Sequence, residues 1–275
     1  QHGLVLRSTV ENDAIPYLIL PEKKRVTVYR LRPAAVFPVS DLPAAIIQKG
    51  IGRLIALAPA SVQEMADFVG LAFDLAFKYR NPAILLADGV IGQMMEKVVL
   101  PEQRKRLTDE EVIARCPWAA NGKTAGRKPN IITSLELDPA IMEQRNNHLQ
   151  KKYAEIEANE VRYEEINCED AEYLMVAFGS CARIAQKAME LARAEGIKVG
   201  LLRPITIWPF PSKAIAERAK QVKGILTVEL NAGQMIEDVR LAVECKVPTE
   251  HFGRLGGIVP DPDEVVSALK EKLVK

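Results

Sequence analysis

Three short apolar runs, separated by amphipathic helical patterns, organise the chain between residues 171 and 243. The runs cover residues 173–178, 198–202 and 225–230. Runs of this length that alternate with helices indicate βαβ units on a parallel sheet buried on both faces. We therefore expect an α/β domain with four or five mostly parallel strands and helices on both sides of the sheet.

Loops beyond the carboxyl ends of the strands bind the ligands and partners of such sheets. Here those loops are residues 179–181, 203–204 and 231–233. The first loop has two interpretations: the N–H groups of a helix N-terminus could bind an anion, or Ser180 could cap an ordinary helix. Glu229, Glu237 and Asp238 could form one carboxylate group, or they could be solvated or paired with neighbours such as Arg240.

A separate βαβ unit occupies residues 54–87. An apolar run at 54–58 precedes a capping box, from Ser61 to Glu64, and a helix with one apolar face. A second apolar run follows this helix and stops at Asp88. Two strands are too few for an independent domain, so we expect this segment to be the closing half of a sheet whose other strands are absent or lie in residues 1–53.

Capping signals mark the helices of the second half of the chain. Ser180 and Ser212 are the expected N-caps of two helices, and Gly196 is the expected left-handed end of the first. Residues 261–264, Asp-Pro-Asp-Glu, combine an N-cap, an N1 proline and an N3 carboxylate for the last helix. Residues 208–211, Trp-Pro-Phe-Pro, predict a rigid bend that carries two aromatic rings.

The middle of the chain is polar and irregular before one long helix. Residues 122–124, Gly-Lys-Thr, lack the glycine five residues earlier and the leading strand of a phosphate-binding loop. Asp138 and Pro139 begin a charged helix that we expect to run to about Tyr163. Its thin apolar stripe favours a connection between domains, and His148 on it is expected at the surface.

Composition excludes several classes of function. A net charge of +1 gives no reason to expect nucleic acid or a membrane surface as a partner. The apolar runs are far shorter than the ~20 residues that span a bilayer, and no signal peptide is visible, so a cytoplasmic location is expected. The four cysteines form no CxxC or Cys/His spacing, which predicts idle thiols rather than a metal or cluster held by this chain. The three histidines form no catalytic triad pattern.

Several stretches resemble the α subunit of 2-oxoacid:ferredoxin oxidoreductases, over about four-fifths of the chain. The stretch LIALAPASVQEMADFVGLAFDLAFKYRNPAILLADGVIGQMMEKV is similar to the second half of the pyrimidine-binding domain of that subunit. LDPAIMEQRNNHLQKKYAEIEANEVRYEE resembles its linker helix, and IKVGLLRPITIWPFPSK with VELNAGQMIEDVRLAV resembles its transketolase-C-terminal-like domain. The motifs APASVQEM and DGVIGQMMEKV most resemble the branched-chain, 2-oxoisovalerate type of this subunit.

The resemblance implies an α/β fold with four segments. They are an unmatched arm or altered N-terminus at 1–53, a partial thiamine-diphosphate pyrimidine-type domain at 54–100, a loop and linker helix at 101–167, and a transketolase-C-terminal-like, mostly parallel sheet domain at 168–275. Within the arm, LVLRSTV and KKRVTVYRL could each form a strand.

The implied activity is the oxidative decarboxylation of a branched-chain 2-oxoacid to an acyl-CoA, coupled to ferredoxin reduction. Thiamine diphosphate and Mg²⁺ are expected to be shared with a β subunit. Iron–sulfur clusters are expected on other subunits of the same complex, the iron–sulfur or γ subunits, and none is expected to be bound by this chain alone. Coenzyme A, the 2-oxoacid and ferredoxin are the expected substrates and partner, and a dimer of heteromers is the expected assembly.

Candidate site residues follow from the same resemblance. The expected cofactor-binding residues are Asp88, Gly89, Gly92 and Gln93. The expected interface or outer wall of the site consists of Asn231, Gly233, Gln234, Trp208 and Phe210; the two aromatic rings could equally be internal packing. No position is assigned as catalytic or as a metal ligand.

One departure from the family pattern affects the expected activity. Residues 1–53 contain none of the family's YPITP-like motif, the glutamate that contacts the aminopyrimidine, or the RGGP-like segment. We therefore expect the chain alone to be inactive, with an altered or missing start. The alternative is a non-catalytic assembly subunit that completes an interface.

Overall fold

The computed structural model of the chain describes residues 5–6, 17–22, 25–30, 53–101, 105, 107–119, 130–132 and 137–274. These residues divide into two compact units, one within Gln1–Val99 and Ile156–Lys275 and the other within Leu100–Glu155. No helix among the described residues is both long and apolar enough to cross a bilayer.

The first strands of the chain form a small antiparallel sheet. Strand β2 (Tyr17–Glu22) pairs with β1 (Val5–Leu6) on one side and with β3 (Arg25–Arg30) on the other. Both segments in which the sequence allowed a strand therefore contain one. The proline-rich remainder of the arm, residues 31–52, lies outside the described residues.

A three-stranded sheet contains the first βαβ unit. Strand β4 (Ile55–Leu57) pairs in parallel with β5 (Ala83–Leu85), and helix α1 (Val62–Tyr79) connects them. The third strand, β9 (Thr206–Trp208), pairs antiparallel with β4 and comes from the second half of the chain. The expectation that a further strand of this sheet is absent or lies in residues 1–53 is therefore wrong. Trp208, the first residue of the predicted rigid bend, therefore lies in a strand. The open edge of β4 supplies the hydrogen-bonding partner of this strand, and the sequence pattern alone does not reveal that partner.

A five-stranded sheet forms the second α/β segment, in the order β11-β10-β7-β8-β6. Its strands are β6 (Tyr163–Ile166), β7 (Tyr173–Ala177), β8 (Val199–Pro204), β10 (Gly224–Glu229) and β11 (Thr249–Gly253). Strands β7, β8, β10 and β11 are mutually parallel, and only the edge strand β6 is antiparallel. The predicted mostly parallel α/β fold is confirmed.

Helices cover both faces of this sheet. Helices α5 (Gly179–Ala194) and α8 (Pro262–Leu269) pack on one face, where their alanines, valines and leucines form one core cluster. Helices α6 (Ser212–Ala219) and α7 (Met235–Ala242) contribute to a second cluster on the opposite face. Burial on both sides explains why the strands read as continuous apolar runs.

The helix caps confirm some predictions and correct others. Ser61 caps α1 by accepting from the N–H of Glu64, and Asp261 forms a full capping box with Glu264. Ser180 and Ser212 are not N-caps: each lies inside its helix, and the caps are the residues Phe178 and Pro211. In both cases the helix begins at or before the serine, so the serine occupies a helical position and not the extended position of an N-cap.

The second compact unit contains helix α3 (Asp109–Arg115) and most of helix α4 (Pro139–Asn159). Asp138 accepts from the N–H of Ala140, as its position before Pro139 predicts. Helix α4 ends at Asn159 rather than near Tyr163, because Tyr163 begins β6 and pairs with β8. His148 is exposed, as predicted, and the Gly-Lys-Thr segment lies outside the described residues.

Candidate functional site

Asp88 joins the carboxyl end of β5 to the amino ends of two helices. It is the N-cap of the short helix α2 (Gly89–Gln93), and its Oδ1 accepts from the N–H groups of Val90 and Ile91, each at 3.0 Å. Its Oδ2 accepts from the N–H of Ser180 in the first turn of α5, at 3.2 Å. A single carboxylate therefore holds together the loop after β5 and the loop after β7.

This contact agrees with neither interpretation of residues 179–181, the anion site or the helix capped by Ser180. The N–H that a bound anion would require from Ser180 is donated to Asp88. Gly179 adopts φ 60°, a conformation that favours glycine, and a Cβ there would lie 3.4 Å from Oδ2 of Asp88. The amino end of α5 is thus capped by a side chain from another part of the chain, which sequence spacing cannot show.

Two buried side chains follow Gly179 in the first turn of α5. The Oγ of Ser180 is buried and has no hydrogen-bond partner among the described residues. Burial, together with the nearby carboxylates of Asp88 and Glu229, raises the pKa of the Cys181 thiol to about 12. Cys181 is therefore a core residue and not a nucleophile at neutral pH.

Gly89, Gly92 and Gln93, the other predicted cofactor residues, lie on the exposed surface of α2. A Cβ added at Gly89 or at Gly92 would meet no heavy atom of the described part of the chain within 4 Å. These three residues form an open ledge, which we call the α2 ledge, while the Asp88 carboxylate turns inward to backbone N–H groups. Asp88 therefore differs in position and exposure from Gly89, Gly92 and Gln93, although all four were predicted together as cofactor-binding residues.

Glu229 is a buried internal cap at the carboxyl end of β10. Its side chain accepts from the N–H groups of Gln234, Met235 and Ile236, at 3.1, 2.8 and 3.1 Å. Burial raises the pKa of the Glu229 carboxyl, but hydrogen bonds from His251 and the backbone outweigh this effect, so the net pKa lies below its usual value. An anion binding at the amino end of α7 would have to displace this carboxylate.

The candidate carboxylate group does not form. Glu229 is 1% exposed inside the amino end of α7, whereas Glu237 is exposed on the surface of the same helix. Arg240 donates to the carbonyl oxygen of Thr249 at 3.0 Å. Glu229 and Glu237 therefore have different environments, one buried and one exposed.

The loop after β10 is held rigidly by its own contacts. Asn231 is buried and its Oδ1 accepts from the N–H of Gly233 at 2.7 Å, while Gly233 has φ 103°. The carbonyl oxygen of Asn231 lies 3.1 Å from Nε2 of His251. A Cβ at Gly253 would lie 2.3 Å from that oxygen, so only glycine allows this close approach. The predicted wall residues Asn231, Gly233 and Gln234 are thus brought together.

The two aromatic residues of the predicted wall have different surroundings. Trp208 is buried in β9, where it pairs with Ala56 of β4, and its ring lies 6.0 Å from the guanidinium carbon of Arg53. Phe210 packs against the core cluster beneath α6 and α7. Both rings contribute to packing within the compact unit that contains the two sheets.

An ion-pair network that sequence reasoning missed lies between the two sheets. Arg203, at the end of β8 and 7% exposed, donates to Glu64 of α1 and to Glu164 of β6. The three side chains line a cavity of about 270 Å³ together with Arg183 of α5, which donates to Glu96 at 2.6 Å. An arginine inside an otherwise apolar strand was the signal that could have identified it.

A second network surrounds the buried carboxylate of Glu160. It accepts from Tyr79 at 2.6 Å and from Lys78 at 2.7 Å, and it lies 2.9 Å from Arg162. Burial raises the pKa of the Glu160 carboxyl, but hydrogen bonds from Lys78, Tyr79 and Arg162 outweigh it and the net pKa lies below its usual value. No periodicity marks Glu160, because two of its three partners, Lys78 and Tyr79, lie about 80 residues earlier in the chain.

Two family models match the chain, and between them they cover both α/β segments. Residues 40–166 match the model described as pyruvate flavodoxin/ferredoxin oxidoreductase, thiamine diphosphate-binding. Residues 171–265 match the model described as pyruvate:ferredoxin oxidoreductase core domain II. The class that these matches define is therefore that of proteins carrying two domains of the pyruvate flavodoxin/ferredoxin oxidoreductases, one of which is described as thiamine diphosphate-binding.

Curated relatives refine this class. The chain is 46% identical over 219 residues to ketoisovalerate oxidoreductase subunit VorB of Methanothermobacter marburgensis, covering 80% of this chain and 60% of that protein. It is 32% identical over 240 residues to 2-oxoglutarate synthase subunit KorA of Methanocaldococcus jannaschii, covering 79% of this chain and 63% of that protein. The chain thus spans about three-fifths of the length of these relatives.

A solved structure shares the fold. The 2-oxoglutarate:ferredoxin oxidoreductase from Magnetococcus marinus matches with a TM-score of 0.63 and 22% identity, over 86% of this chain and 45% of that one. On the sequence matches and this fold, the chain belongs to the 2-oxoacid:ferredoxin oxidoreductase family.

Proposed function

We propose that the chain is a subunit of a thiamine-diphosphate-dependent 2-oxoacid:ferredoxin oxidoreductase that acts on a branched-chain 2-oxoacid. The observation that carries the proposal is the 46% identity to a ketoisovalerate oxidoreductase subunit over four-fifths of the chain. The products are an acyl-CoA, carbon dioxide and reduced ferredoxin.

The residues of the α2 ledge fit thiamine diphosphate as an outer wall of its binding site. The α2 ledge is exposed and its two glycines leave open space, so a cofactor ring or an adjacent subunit could approach the backbone closely. The Asp88 carboxylate accepts from three backbone N–H groups and serves as an internal cap. When bound, thiamine diphosphate supplies the carbanion chemistry, while protein groups orient the reactants and exclude water.

Partner subunits complete this proposed complex. A β subunit holds the diphosphate and Mg²⁺, further subunits carry the iron–sulfur clusters, and the assembly is a dimer of heteromers in the cytoplasm. The locked loop at Asn231, Gly233 and Gln234 forms the outer wall on the side of the second sheet. Trp208 and Phe210 support that wall from within the unit.

A second candidate function is a non-catalytic assembly subunit. The carboxylates of Asp88, Glu160 and Glu229 each accept from internal donors, so none of the three is placed to move a proton to or from a substrate. These contacts stabilise the fold and hold the two sheets together, which suits a scaffold.

Reconstitution separates the two functions. The chain would be purified with its β and iron–sulfur partners and assayed for viologen dye reduction with 2-oxoisovalerate and coenzyme A. Turnover that requires this chain supports the oxidoreductase, and stable association without turnover supports the assembly role.

The wall can be tested in an active complex. Gly92→Val would add a branched side chain to the α2 ledge and should raise the KM for thiamine diphosphate with little change in kcat. Lys213→Val adds a similar side chain to an exposed position of α6 and serves as the matched control. Equal KM values for the two variants would exclude the ledge from the cofactor site.

A further inference from the structure

We infer that Asp88 is a positioning residue that couples the α2 ledge to the first turn of α5, so that the ledge moves with the five-stranded sheet. The inference deepens the proposed function, because the ledge is the proposed cofactor wall, and it rests on that function for its consequence in catalysis. The mechanical link itself rests on contacts within one compact unit.

The two oxygens of the Asp88 carboxylate bind different parts of the chain. Oδ1 accepts from Val90 and Ile91 and thereby fixes the start of α2, while Oδ2 accepts from Ser180 alone. The ledge and α5 are therefore held by different oxygens of one rigid group. Moving either helix end would break or lengthen a charge-assisted hydrogen bond on the other side.

The amino end of α5 depends on this external group. Its N-cap residue, Phe178, makes no side-chain capping bond to the described residues, and the Ser180 hydroxyl is buried without a partner among them. A carboxylate at a helix amino end is favourable because N–H groups and the helix dipole both present positive charge there. Asp88 supplies what the α5 sequence lacks.

Further contacts join the segment after β5 to helix α5 beside the Asp88 link. Arg183, one turn along α5 from Gly179, donates to Glu96, and Glu96 also accepts from the N–H of Val62 at the start of α1. The segment from Asp88 to Glu96 is thus anchored to α5 at both ends. The ledge, which lies between the two anchors, cannot shift independently of α5 while both hold.

A variant that removes only one donor tests the coupling. Ser180→Pro deletes the N–H that reaches Asp88 and keeps the capping bonds to Val90 and Ile91; proline is tolerated in the first turn of a helix. The matched control Ser180→Ala keeps the N–H and removes only the buried hydroxyl. Amide hydrogen exchange of the full chain would be followed at Val90 and Ile91, 89 or more residues away in sequence.

The expected result is faster exchange across the link. In Ser180→Pro the amides of Val90 and Ile91 should exchange about ten- to a hundredfold faster, as expected for loss of one hydrogen bond to a charged group, and in Ser180→Ala they should not change. Asp88→Ala should accelerate exchange at these amides and at Ser180 together. Asp261→Ala, which removes a capping aspartate that serves only its own helix, α8, should affect neither site.

Two results would overturn the inference. One is unchanged exchange at Val90 and Ile91 in Ser180→Pro, and the other is an equal increase there in Asp261→Ala, which would indicate general loosening. If Ser180→Pro does not fold, the reciprocal measurement in Asp88→Asn decides, with unchanged exchange at Ser180 contradicting the link. All these measurements use the chain without cofactor, so failure of the proposed activity would leave them unaffected.

Discussion

Arg203, buried at the end of a strand in the second sheet, donates a hydrogen bond to Glu64 in the first turn of the helix on the first sheet. These two residues are 139 positions apart in sequence. Their contact, the strand pairing of β4 with β9, and the Asp88 link together make the two sheets parts of one compact unit.

Replacing Arg203 should destabilise the chain strongly. Arg203→Ala leaves Glu64 and Glu164 without their shared cation. Arg203 is buried, but the Glu64 and Glu164 side chains are 26% and 49% exposed, so the expected cost lies between that of a surface pair and that of a buried pair, at about 1–3 kcal/mol. Arg203→Lys should recover only part of this, because an ammonium cannot replace the planar fork that reaches two carboxylates. Urea unfolding measures both effects.

Lys187→Ala is the control for that experiment. Lys187 pairs with Glu190 on the surface of α5, and both side chains are more than half exposed. Such a pair contributes less than about 1 kcal/mol. A loss in Arg203→Ala no larger than that in Lys187→Ala would show that the network between the sheets does not stabilise the fold.

The Glu160 network should contribute stability that depends on pH. The pKa of the Glu160 carboxyl is lowered in the folded chain, so the folded state binds its proton less tightly than the unfolded chain does. The stabilisation is therefore fully present above the usual carboxyl pKa of about 4.5 and is lost as the pH falls through the lower folded value. Glu160→Gln should cost about 2 kcal/mol at pH 7, with the difference from the parent chain shrinking below about pH 4.5.

Unfolding of both proteins between pH 3 and pH 7 would check this prediction. Glu157→Gln, at a half-exposed pair with Arg53, should change stability by less than about 1 kcal/mol at any of these pH values. A cost in Glu160→Gln that grows towards low pH would contradict the assigned direction of the shift.

Gly253 should not tolerate a side chain. A Cβ there would lie 2.3 Å from the carbonyl oxygen of Asn231 and 2.5 Å from Nε2 of His251, so Gly253→Ala must move the loop that forms the proposed outer wall. We expect a loss of about 1–3 kcal/mol, as for other overpacked sites. Gly92→Ala is the control, since it meets open space on a helix and should be neutral or stabilising by up to about 1 kcal/mol. Equal melting temperatures for the two variants would contradict the crowding at Gly253.

Thiol labelling should distinguish Cys245 from the other cysteines. Cys245 is exposed, whereas Cys116, Cys168 and Cys181 are buried. Burial raises the pKa of Cys168 to about 11 and that of Cys181 to about 12, so their thiolates are scarce at neutral pH. A disulfide reagent should therefore modify one thiol per chain rapidly and the others only in denaturant. Loss of the rapid phase in Cys245→Ser is the check, and rapid labelling of Cys181 would contradict its burial.

Patterns with a short range in sequence were the most predictable features. Apolar runs marked β7, β8 and β10, and the capping boxes at Ser61 and Asp261 marked two helix starts, because each depends on a few consecutive residues. The predictions at Ser180 and Ser212 were wrong because each helix begins at or before the serine. Caps depend on backbone direction, and residue type indicates that direction only in part.

The features of the candidate site were likewise predictable only where they depend on neighbouring residues. Asp88 and Gly89 could be located from the end of an apolar run, but the partner of Asp88, Ser180, is 92 residues away. The domain boundaries and the roles of the α2 ledge and the loop at Asn231 remain predictions.

The sequence by itself determined the α/β class, the family and the positions of most strands. These features follow from the alternation of apolar runs with helical patterns, from helix capping and from short sequence motifs, all of which are properties of neighbouring residues. The tertiary structure alone decided that β9 joins the first sheet, that Asp88 caps a helix of the second, and that Arg203 pairs with Glu64. Backbone edges and buried charges must find partners wherever the fold brings them close, and that proximity is set by the packing of the whole unit.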